Sequence, residues 1–316
     1  MNKYVILQIE GGIGKSVVAT SVVRAIDKKF KGERKIVVVT AYPDIFELNP
    51  RVYKTLQFGQ ITHFYEEYIQ DKDSVVMIQD PYRTNDFIFR QKHLSQIWGE
   101  MYNIPWDGET PEMYFTQLET EFVSSLLNKD KPIFIINAFG GAQNQQHKYS
   151  WARDIPPVLA QEIVDEANKY YRTIQIRRED QIALKNCEYL SLNIRQLAIA
   201  LMISDRRLLI DSYLQHAAAS LNLSSVVLWA CNSPRVFGYK IHTNISAKFQ
   251  AASLKNSMYE PFDIVGDPLQ LASNPATMYD KNQVLKALNF DTTLPRLDLI
   301  IPEKNEKQLA WKEKRF

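Results

Sequence analysis

A glycine-rich turn near the start of the chain has the residue types of an anion-binding site. The segment Ile9-Glu10-Gly11-Gly12-Ile13-Gly14-Lys15-Ser16 follows an apolar strand and precedes a helical pattern. Glycines let backbone amides approach a ligand closely, and a helix that starts at Ser16 points its positive N-terminal end at the same place. We therefore predict an anion or acceptor site formed by Gly11, Gly12, Gly14 and Lys15. The alternative is a turn that only packs a helix on a sheet.

A nucleotide-triphosphate P-loop is another interpretation of this turn, and the motif for it is incomplete. The P-loop needs Gly-x-x-x-x-Gly-Lys-Ser/Thr, and its first glycine would stand where this chain has Ile9. The ParA/MinD variant of the loop has a signature lysine where this chain has Glu10. An ATPase is therefore the least favoured of the functions considered.

A second polar group stands at the end of a later strand. The apolar segment Leu208-Leu209-Ile210 predicts a strand, Asp211 and Ser212 follow it, and Ser212 can cap the next helix. Because ligands bind at the carboxyl edges of parallel sheets, we predict that Asp211 and Ser212 bind a ligand. His216, one turn inside the helix, can reach the same ligand. The alternatives are that Ser212 only caps the helix and that His216 only packs in the core.

The composition is that of a globular protein of two ordinary domains. The chain has 316 residues, of which 45% are hydrophobic and 23% charged, and its formal net charge is +2. That charge lacks the basic excess typical of nucleic-acid-binding proteins. Its two cysteines have no CxxC spacing, which favours a reducing compartment over disulfides or a zinc site. With no signal-peptide pattern and no long apolar run, the sequence predicts a cytoplasmic protein.

The order of apolar segments predicts an α/β fold. A strand, the glycine turn, a crossover helix and the buried strand 35–40 form a βαβ unit, and 52–58 and 74–78 predict further strands. Residues 86–103 and 112–127 then predict two helices.

The pattern starts again after a charged, proline-stopped link at residues 128–132. A buried strand from Ile133, a helix at 156–170, a strand at 173–176 and a helix at 194–203 precede the strand that ends at Asp211. We predict two Rossmann-like domains, 1–130 and 131–316, that face each other across a cleft. The last helix packing back on the first domain is one arrangement that this division allows.

Several segments together resemble the GT-B glycosyltransferases of the heptosyltransferase-like family, glycosyltransferase family 9. The first set is similar to the family's glycine turn, first helix and second strand, and it comprises Gly11-Gly12-Ile13-Gly14, Val18-Ala19-Thr20, Val22-Val23-Arg24-Ala25, Val37-Val38-Val39-Thr40 and Asn49-Pro50. The middle of the chain contributes Pro111-Glu112-Met113-Tyr114, Lys131-Pro132, and Lys148 with Trp151, which resembles a Lys-x-x-Trp region. The most specific set resembles the donor-site signature, and it comprises Asn193-Ile194-Arg195-Gln196-Leu197-Ala198, Leu209-Ile210-Asp211-Ser212 and His216-Ala217-Ala218-Ala219.

This resemblance implies a sugar transferred from a nucleotide-sugar donor to an acceptor hydroxyl. The donor would bind to Lys148, Asp211, Ser212 and His216, and the acceptor over the glycine turn. The family usually has an aspartate base where this chain has Lys15, which is a cation at neutral pH and cannot act as a base. The donor signature also continues with Tyr213 where glycine is usual. The candidate substitute bases are Glu10, Asp80, Asp86 and His93, each of which could instead be a cap, a surface charge or a packed residue.

The sequence thus favours a metal-independent glycosyltransferase, since no Asp-x-Asp pair stands at a strand end. We expect no cofactor besides the nucleotide-sugar substrate. The acceptor is expected to be a carbohydrate, a lipid-linked glycan or a modified nucleic acid. A catalytically silent GT-B protein with a binding or structural role is the second interpretation, because Lys15 occupies the position of the base.

Overall fold

The computed structural model describes residues 2–59, 61–127, 131–140, 153–230, 232–248 and 276–291. Both predicted domains contain a parallel sheet flanked by helices, which confirms the α/β fold class. The predicted boundary between residues 130 and 131 stays a prediction, since residues 128–130 lie outside the described part. The predicted return of the last helix concerns residues that also lie outside it.

The first sheet has four parallel strands in the order β3-β2-β1-β4. These are β1 (Lys3–Ile9), β2 (Lys35–Thr40), β3 (Val52–Gln57) and β4 (Asp73–Met77). The crossover helix α1 (Ile13–Phe30) joins β1 to β2. It begins at Ile13, three residues before the predicted start at Ser16, so that Lys15 lies in its first turn.

Two predicted helices of this half were wrong in extent. Between residues 86 and 103 the chain forms α3 (Asn85–Ile88) and α4 (Leu94–Met101), which are separated where Arg90 takes a positive φ of 53°. The helix predicted from residue 112 begins only at α5 (Gln117–Leu126), because Thr116 and Glu119 form a capping box there. The half also contains the short helix α2 (Phe64–Tyr68), which the sequence pattern did not reveal.

The second sheet has six parallel strands in the order β10-β9-β8-β5-β6-β7. The strands are β5 (Ile133–Ile136), β6 (Arg172–Gln175), β7 (Glu188–Tyr189), β8 (Arg206–Ile210), β9 (Val226–Trp229) and β10 (Thr243–Ser246). The helices are α6 (Pro157–Ala167), α7 (Ile194–Ile203), α8 (Tyr213–Ser220), α9 (Pro234–Phe237) and α10 (Lys281–Leu288). The helix predicted at residues 194–203 has the bounds of α7.

One apolar core runs through both halves of the described chain. Within it α1 packs against α8 and α5 packs against α7, so helices of the two domains lie face to face. Trp98 of α4 and Trp229 of β9 are both fully buried in this core. In the described part of the chain, no helix is long and apolar enough to cross a lipid bilayer.

Arg195 of α7 joins the two halves by polar contacts. Its guanidinium donates to both carboxylate oxygens of Glu119 at 2.6 and 3.0 Å, and to the carbonyl oxygens of Asp44 and Tyr114 at 3.0 and 2.7 Å. It also lies 4.8 Å from the centre of the Phe115 ring. Despite partial burial, which acts the other way, the hydrogen bonds from Arg195 and Thr116 lower the pKa of Glu119 to about 2.

We predict that Arg195→Ala lowers the free energy of unfolding by about 3 kcal/mol, because it leaves a half-buried carboxylate and two carbonyls without their donor. Urea unfolding would measure the loss. Arg178→Ala is the matched control, since Arg178 pairs with Asp180 on the surface and should cost under about 1 kcal/mol. Equal losses in the two variants would contradict the role of Arg195.

Candidate functional site

Each sheet has a point where the direction of chain progression reverses, and ligands of open α/β sheets bind at such points. In the first sheet the reversal lies between β1 and β4. In the second sheet it lies between β5 and β8. Glu10 and Asp80 stand just beyond the two strands of the first point, and Asp211 and Ser212 stand just beyond β8 at the second.

A pocket of about 620 Å³ opens at the first reversal point. Two candidate bases, Glu10 and Asp80, both line it, together with Ile78, Gln79, Arg83, Thr84 and Met101. Glu10 is exposed, and its Oε1 accepts a hydrogen bond of 3.0 Å from Gln8 Nε2. The pocket therefore brings the carboxylates of Glu10 and Asp80 and the guanidinium of Arg83 together at the edge of the sheet.

The glycines of the turn have different roles. Gly11 has a φ of +102°, which a side chain would strain, so it makes the turn possible. Gly12 caps α1 with its backbone, and a Cβ at this position would meet no atom within 4 Å. Gly14 lies against the second half, because its Cβ would stand 3.0 Å from His216 Cδ2 and 3.5 Å from Tyr213 Cα. Gly14 thus serves close packing between the halves.

Lys15 is held inside the fold by an ion pair across the first reversal point. Its Nζ lies 2.7 Å from Asp80 Oδ1, 4.4 Å from the centre of the Tyr82 ring and 5.5 Å from that of Trp98. Burial lowers the pKa of Lys15, and the hydrogen bond and charge of Asp80 oppose that shift. The predicted anion-binding role of Lys15 is untested, and Lys15 would have to leave Asp80 to perform it.

The other two candidate bases lie outside the residues that line this pocket. Asp86 pairs with Lys92 at 2.8 Å. His93 is the N-cap of α4 and accepts a hydrogen bond from the Ser95 amide through Nδ1. Burial lowers the pKa of His93 to about 4. Neither residue is therefore presented to a ligand at the first reversal point as Glu10 is.

At the second reversal point Ser212 caps α8, as predicted. Its Oγ accepts from the Leu214 amide at 3.3 Å and donates to Asn137 Oδ1 at 2.8 Å. Asp211 is buried and accepts a hydrogen bond from Asn232. Burial raises the pKa of Asp211, while the charge of Arg153 and the Asn232 hydrogen bond act the other way. The carboxyl edges of β5 and β8 are thus joined by a polar network.

His216 lies in a buried cluster between the halves. Its Nδ1 is 2.7 Å from the Tyr239 hydroxyl, and its ring lies edge-on to the Tyr239 ring. His93 and His242 also contact the Tyr239 ring, with centroid distances of 5.4 and 5.8 Å. These contacts match the core-histidine alternative, and the donor-binding role of His216 stays a prediction. Lys148, the remaining predicted donor ligand, lies outside the described residues.

The two reversal points adjoin each other where α1 meets α8. Gly14 and Tyr213, both in the first turns of their helices, touch at this contact. Tyr82 connects the two points electrostatically, because burial raises its pKa and the charges of Asp211 and Asp80 raise it further. Its ring stacks on Phe87 at 4.4 Å, and both rings meet Phe237 of the second half.

We predict that Gly14→Ala destabilises the protein by about 1–3 kcal/mol, because the added Cβ would stand 3.0 Å from His216 Cδ2 and the buried imidazole must shift. Gly12→Ala is the control in the same turn, since its Cβ meets open space. Thermal unfolding of the two variants would measure the difference. Equal stability of Gly14→Ala and Gly12→Ala would show that the contact between α1 and α8 accommodates a Cβ at position 14 without loss of packing.

Sequence reasoning missed two polar residues at the second reversal point. Asn137 follows β5, and its Oδ1 accepts a hydrogen bond from the Ser212 hydroxyl. Its position directly after a buried strand could have identified it as a residue of this site. Arg153 stands two residues after Trp151 of the Lys-x-x-Trp region, and its charge acts on Asp211. No local pattern in the sequence distinguishes Arg153 from a surface arginine.

Comparison with known proteins finds solved structures of the same fold at low sequence identity. No family profile matches the chain, and no curated protein matches it. The structure is similar to Escherichia coli ADP-heptose LPS heptosyltransferase II, with a TM-score of 0.63 and 13% identity over 90% of this chain and 97% of that one. It is similar to a glycosyltransferase family 9 protein of Veillonella parvula, with a TM-score of 0.66 and 13% identity over 92% and 97% of the chains.

A third similar structure is the dodecameric iron-containing heptosyltransferase TibC of E. coli in complex with ADP-D-β-D-heptose, with a TM-score of 0.62 and 12% identity over 92% of this chain and 78% of that one. Within the described residues of this chain, no group of three or more His, Cys, Asp or Glu side chains could hold a metal ion. The resemblance found in the sequence is confirmed at the level of the fold. The chain has the fold of the heptosyltransferase-like GT-B glycosyltransferases, two Rossmann-like domains with facing reversal points.

Proposed function

We propose that this protein transfers a sugar from a nucleotide-sugar donor to an acceptor hydroxyl without a metal ion. The observation that carries the proposal is the pair of reversal points that adjoin where Gly14 of α1 touches Tyr213 of α8. A polar site on each side of one contact suits a reaction between two bound molecules, because binding removes the entropy cost of their encounter. The fold likeness to glycosyltransferases supports this function by analogy.

The donor is proposed to bind at the second reversal point. The N-terminal end of α8 offers amide groups and a positive dipole to a diphosphate. Ser212 and Asp211 can hydrogen-bond to hydroxyl groups of the donor, since both stand at the carboxyl edge of β8. Lys148 and His216 remain proposed donor ligands on the strength of the sequence resemblance.

The acceptor is proposed to bind in the pocket at the first reversal point, with Glu10 as the general base. Glu10 is exposed in that pocket, whereas Asp80 Oδ1 already receives the Lys15 ammonium at 2.7 Å and the Tyr82 amide at 2.9 Å. A carboxylate engaged by an ammonium group is a weaker proton acceptor than a free one. We expect a carbohydrate hydroxyl as acceptor, with a lipid-linked glycan or a modified nucleic acid as alternatives.

In the proposed reaction the acceptor oxygen forms a bond to the anomeric carbon of the donor sugar. The bond from that carbon to the diphosphate oxygen breaks at the same time, and its electron pair leaves with the nucleotide diphosphate. Glu10 takes the proton of the acceptor hydroxyl. The dipole of α8 stabilises the negative charge on the departing diphosphate.

A catalytically silent binding protein is the second candidate, and the Lys15–Asp80 ion pair favours it. The position where the resembling family has its base holds a lysine that is buried and paired. The same ion pair disfavours an ATPase, because the Lys15 ammonium contacts Asp80 and the rings of Tyr82 and Trp98 and is not available to a nucleotide phosphate.

The proposal is tested by incubating the protein with UDP-, ADP-, GDP- and CDP-sugars, with and without EDTA, and measuring donor hydrolysis and sugar transfer to a panel of acceptors. We expect one donor to bind and turn over equally well in EDTA. Binding of a donor with no turnover under any acceptor would favour the silent protein, and no binding of any donor would overturn both. Magnesium-dependent ATP hydrolysis that disappears in Lys15→Ala would revive the ATPase.

A further inference from the structure

Glu10 and Asp80 leave the first sheet side by side. Strands β1 and β4 are parallel neighbours, and the last residues that pair between them are Leu7 and Met77. Glu10 and Asp80 each stand three residues beyond that pair, at the carboxyl ends of strands that lie about 4.8 Å apart. Both residues line the pocket of about 620 Å³ at the first reversal point. One molecule bound in this pocket can therefore contact both carboxylates at the same time.

The Asp80 carboxylate is held in place through one of its oxygens. Its Oδ1 accepts a hydrogen bond of 2.7 Å from Lys15 Nζ and one of 2.9 Å from the Tyr82 amide. The second of these bonds makes Asp80 the N-cap of a short 3₁₀ helix, Pro81–Arg83. The Asp80 side chain is 20% exposed and lines the pocket, so Oδ2 is the oxygen that it presents to a ligand.

Lys15 is the fixed partner of this carboxylate. Its side chain is 3% exposed and lies in the first turn of α1. Its Nζ also lies 4.4 Å from the centre of the Tyr82 ring and 5.5 Å from that of Trp98. The buried ammonium thus fixes the direction in which the Asp80 carboxylate points. A group that is oriented before binding loses less conformational entropy when a ligand arrives.

We propose that Asp80 Oδ2 accepts a hydrogen bond from a second hydroxyl of the acceptor, adjacent to the hydroxyl that reacts, and that Lys15 positions Asp80 for this contact. The inference rests on the proposed function and names the acceptor class, a vicinal diol such as a sugar ring carries. Glu10 takes the proton of the reacting hydroxyl, and Asp80 binds its neighbour. An ionised carboxylate only accepts hydrogen bonds, so this site selects a hydroxyl over an ether or a deoxy position.

The experiment measures acceptor KM and kcat for the wild type, Asp80→Asn, Lys15→Met and the double variant Lys15→Met/Asp80→Asn. The probes are the methyl glycoside of the best acceptor sugar in the panel and its monodeoxy analogues, each of which lacks one hydroxyl. In the wild type, loss of the hydroxyl adjacent to the reacting one should raise acceptor KM by about ten- to a hundredfold, as a lost charge-assisted hydrogen bond does.

The variants should make the enzyme less sensitive to that hydroxyl. In Asp80→Asn the same deletion should raise KM several-fold less than in the wild type, because an amide offers only a neutral hydrogen bond. In Lys15→Met the effect of the deletion should be intermediate, since the carboxylate remains but its orientation is no longer fixed. Donor KM should not change in any variant, and kcat of Asp80→Asn should stay within about threefold of wild type because Glu10 still takes the proton.

The double variant guards against a change that only destabilises the fold. Asp80→Asn leaves the buried Lys15 ammonium without its carboxylate, whereas the double variant removes both charges together. Asp180→Asn is the control for loss of a surface carboxylate that pairs with a cation, and it should keep the wild-type KM for every probe. Thermal unfolding checks that each variant is folded.

Three results would contradict this account. An equal effect of every deoxy substitution in the wild type and in the folded Asp80 variants would overturn the inference and leave the proposed function standing. A hundredfold fall in the kcat of Asp80→Asn at unchanged acceptor KM would also overturn it, because Asp80 would then be the base. Failure of the wild type to transfer a sugar to any acceptor of the panel would overturn the proposed function, and the inference with it.

Discussion

Glu10→Gln is expected to lower kcat for sugar transfer by about 10²- to 10⁴-fold with little change in the KM of either substrate. A positioned general base contributes rate enhancement of that order, and the amide cannot take a proton. The substitution keeps the size of the side chain and can keep a hydrogen bond with Gln8. Steady-state kinetics with the donor and acceptor found in the substrate screen would measure the effect.

Asp86→Asn is the matched control, because Asp86 pairs with Lys92 outside the pocket lining and its loss should leave kcat within about twofold of wild type. Asp80→Asn tests the competing base at the same reversal point. A Glu10→Gln enzyme with nearly full activity, together with an inactive Asp80→Asn enzyme, would move the base to Asp80. Full activity in both Glu10→Gln and Asp80→Asn would show that neither carboxylate of this pocket is the general base.

Much of the fold could be predicted because strands that are buried on both faces appear in the sequence as continuous runs of apolar residues. Val37, Val38 and Val39 of β2 and Ile133 to Ile136 of β5 are of this kind, and both strands lie where they were predicted. The polar residues that follow such strands could also be placed at a sheet edge. For that reason Glu10, Asp80, Asp211 and Ser212 all lie at the two reversal points.

Helix limits in the first half were harder to predict, since two signals compete there. His93 both fits an apolar helical face and caps a new helix, and the cap decides where α4 begins. The Thr116-x-x-Glu119 pattern of a capping box is visible in the sequence and marks the start of α5, but the apolar spacing before it suggested an earlier start. Local capping outweighed periodicity in both places.

The partners of the site residues could not be predicted, because they come from distant parts of the chain. Lys15 is joined to a carboxylate 65 residues away, and Gly14 is packed against His216 of the other domain. Spacing in the sequence cannot show either contact. From the sequence, a lysine in the first turn of a helix is expected to bind an external anion. In the structure, Lys15 instead forms an ion pair with the carboxylate of Asp80.

The histidine cluster has a consequence for the dependence of stability on pH. His93, His216 and His242 surround Tyr239, and burial lowers the pKa of each. The value is about 4 for His93, where burial is the cause, and about 4 for His242, where burial outweighs a hydrogen bond to the Gln215 carbonyl. In the unfolded chain a histidine binds its proton near pH 6.5. All three are therefore neutral in the folded protein at a pH where the unfolded chain is protonated.

Acidification is consequently expected to destabilise the fold from pH 6.5 downward, by about 1.4 kcal/mol per pH unit for each of the three histidines. At pH 5 the loss reaches about 6 kcal/mol, which is comparable to the whole stability of many domains. Glu119, with its pKa lowered to about 2, adds to the loss only below pH 4.5, and buried Asp211, whose pKa is raised, acts in the opposite direction to the histidines. Urea unfolding at pH 7, 6 and 5 would measure the slope.

His93→Gln should reduce the slope of stability against pH by one proton, since glutamine can accept the Ser95 amide bond but does not titrate. The variant should thus have a lower free energy of unfolding than wild type at pH 7. Between pH 7 and 5 that free energy should fall by less than it does in wild type. Because His93 belongs to the first half and His216 and His242 to the second, the same protonation would separate helices of the two domains. A free energy of unfolding that is constant between pH 7 and 5 would show that the cluster admits protons without opening.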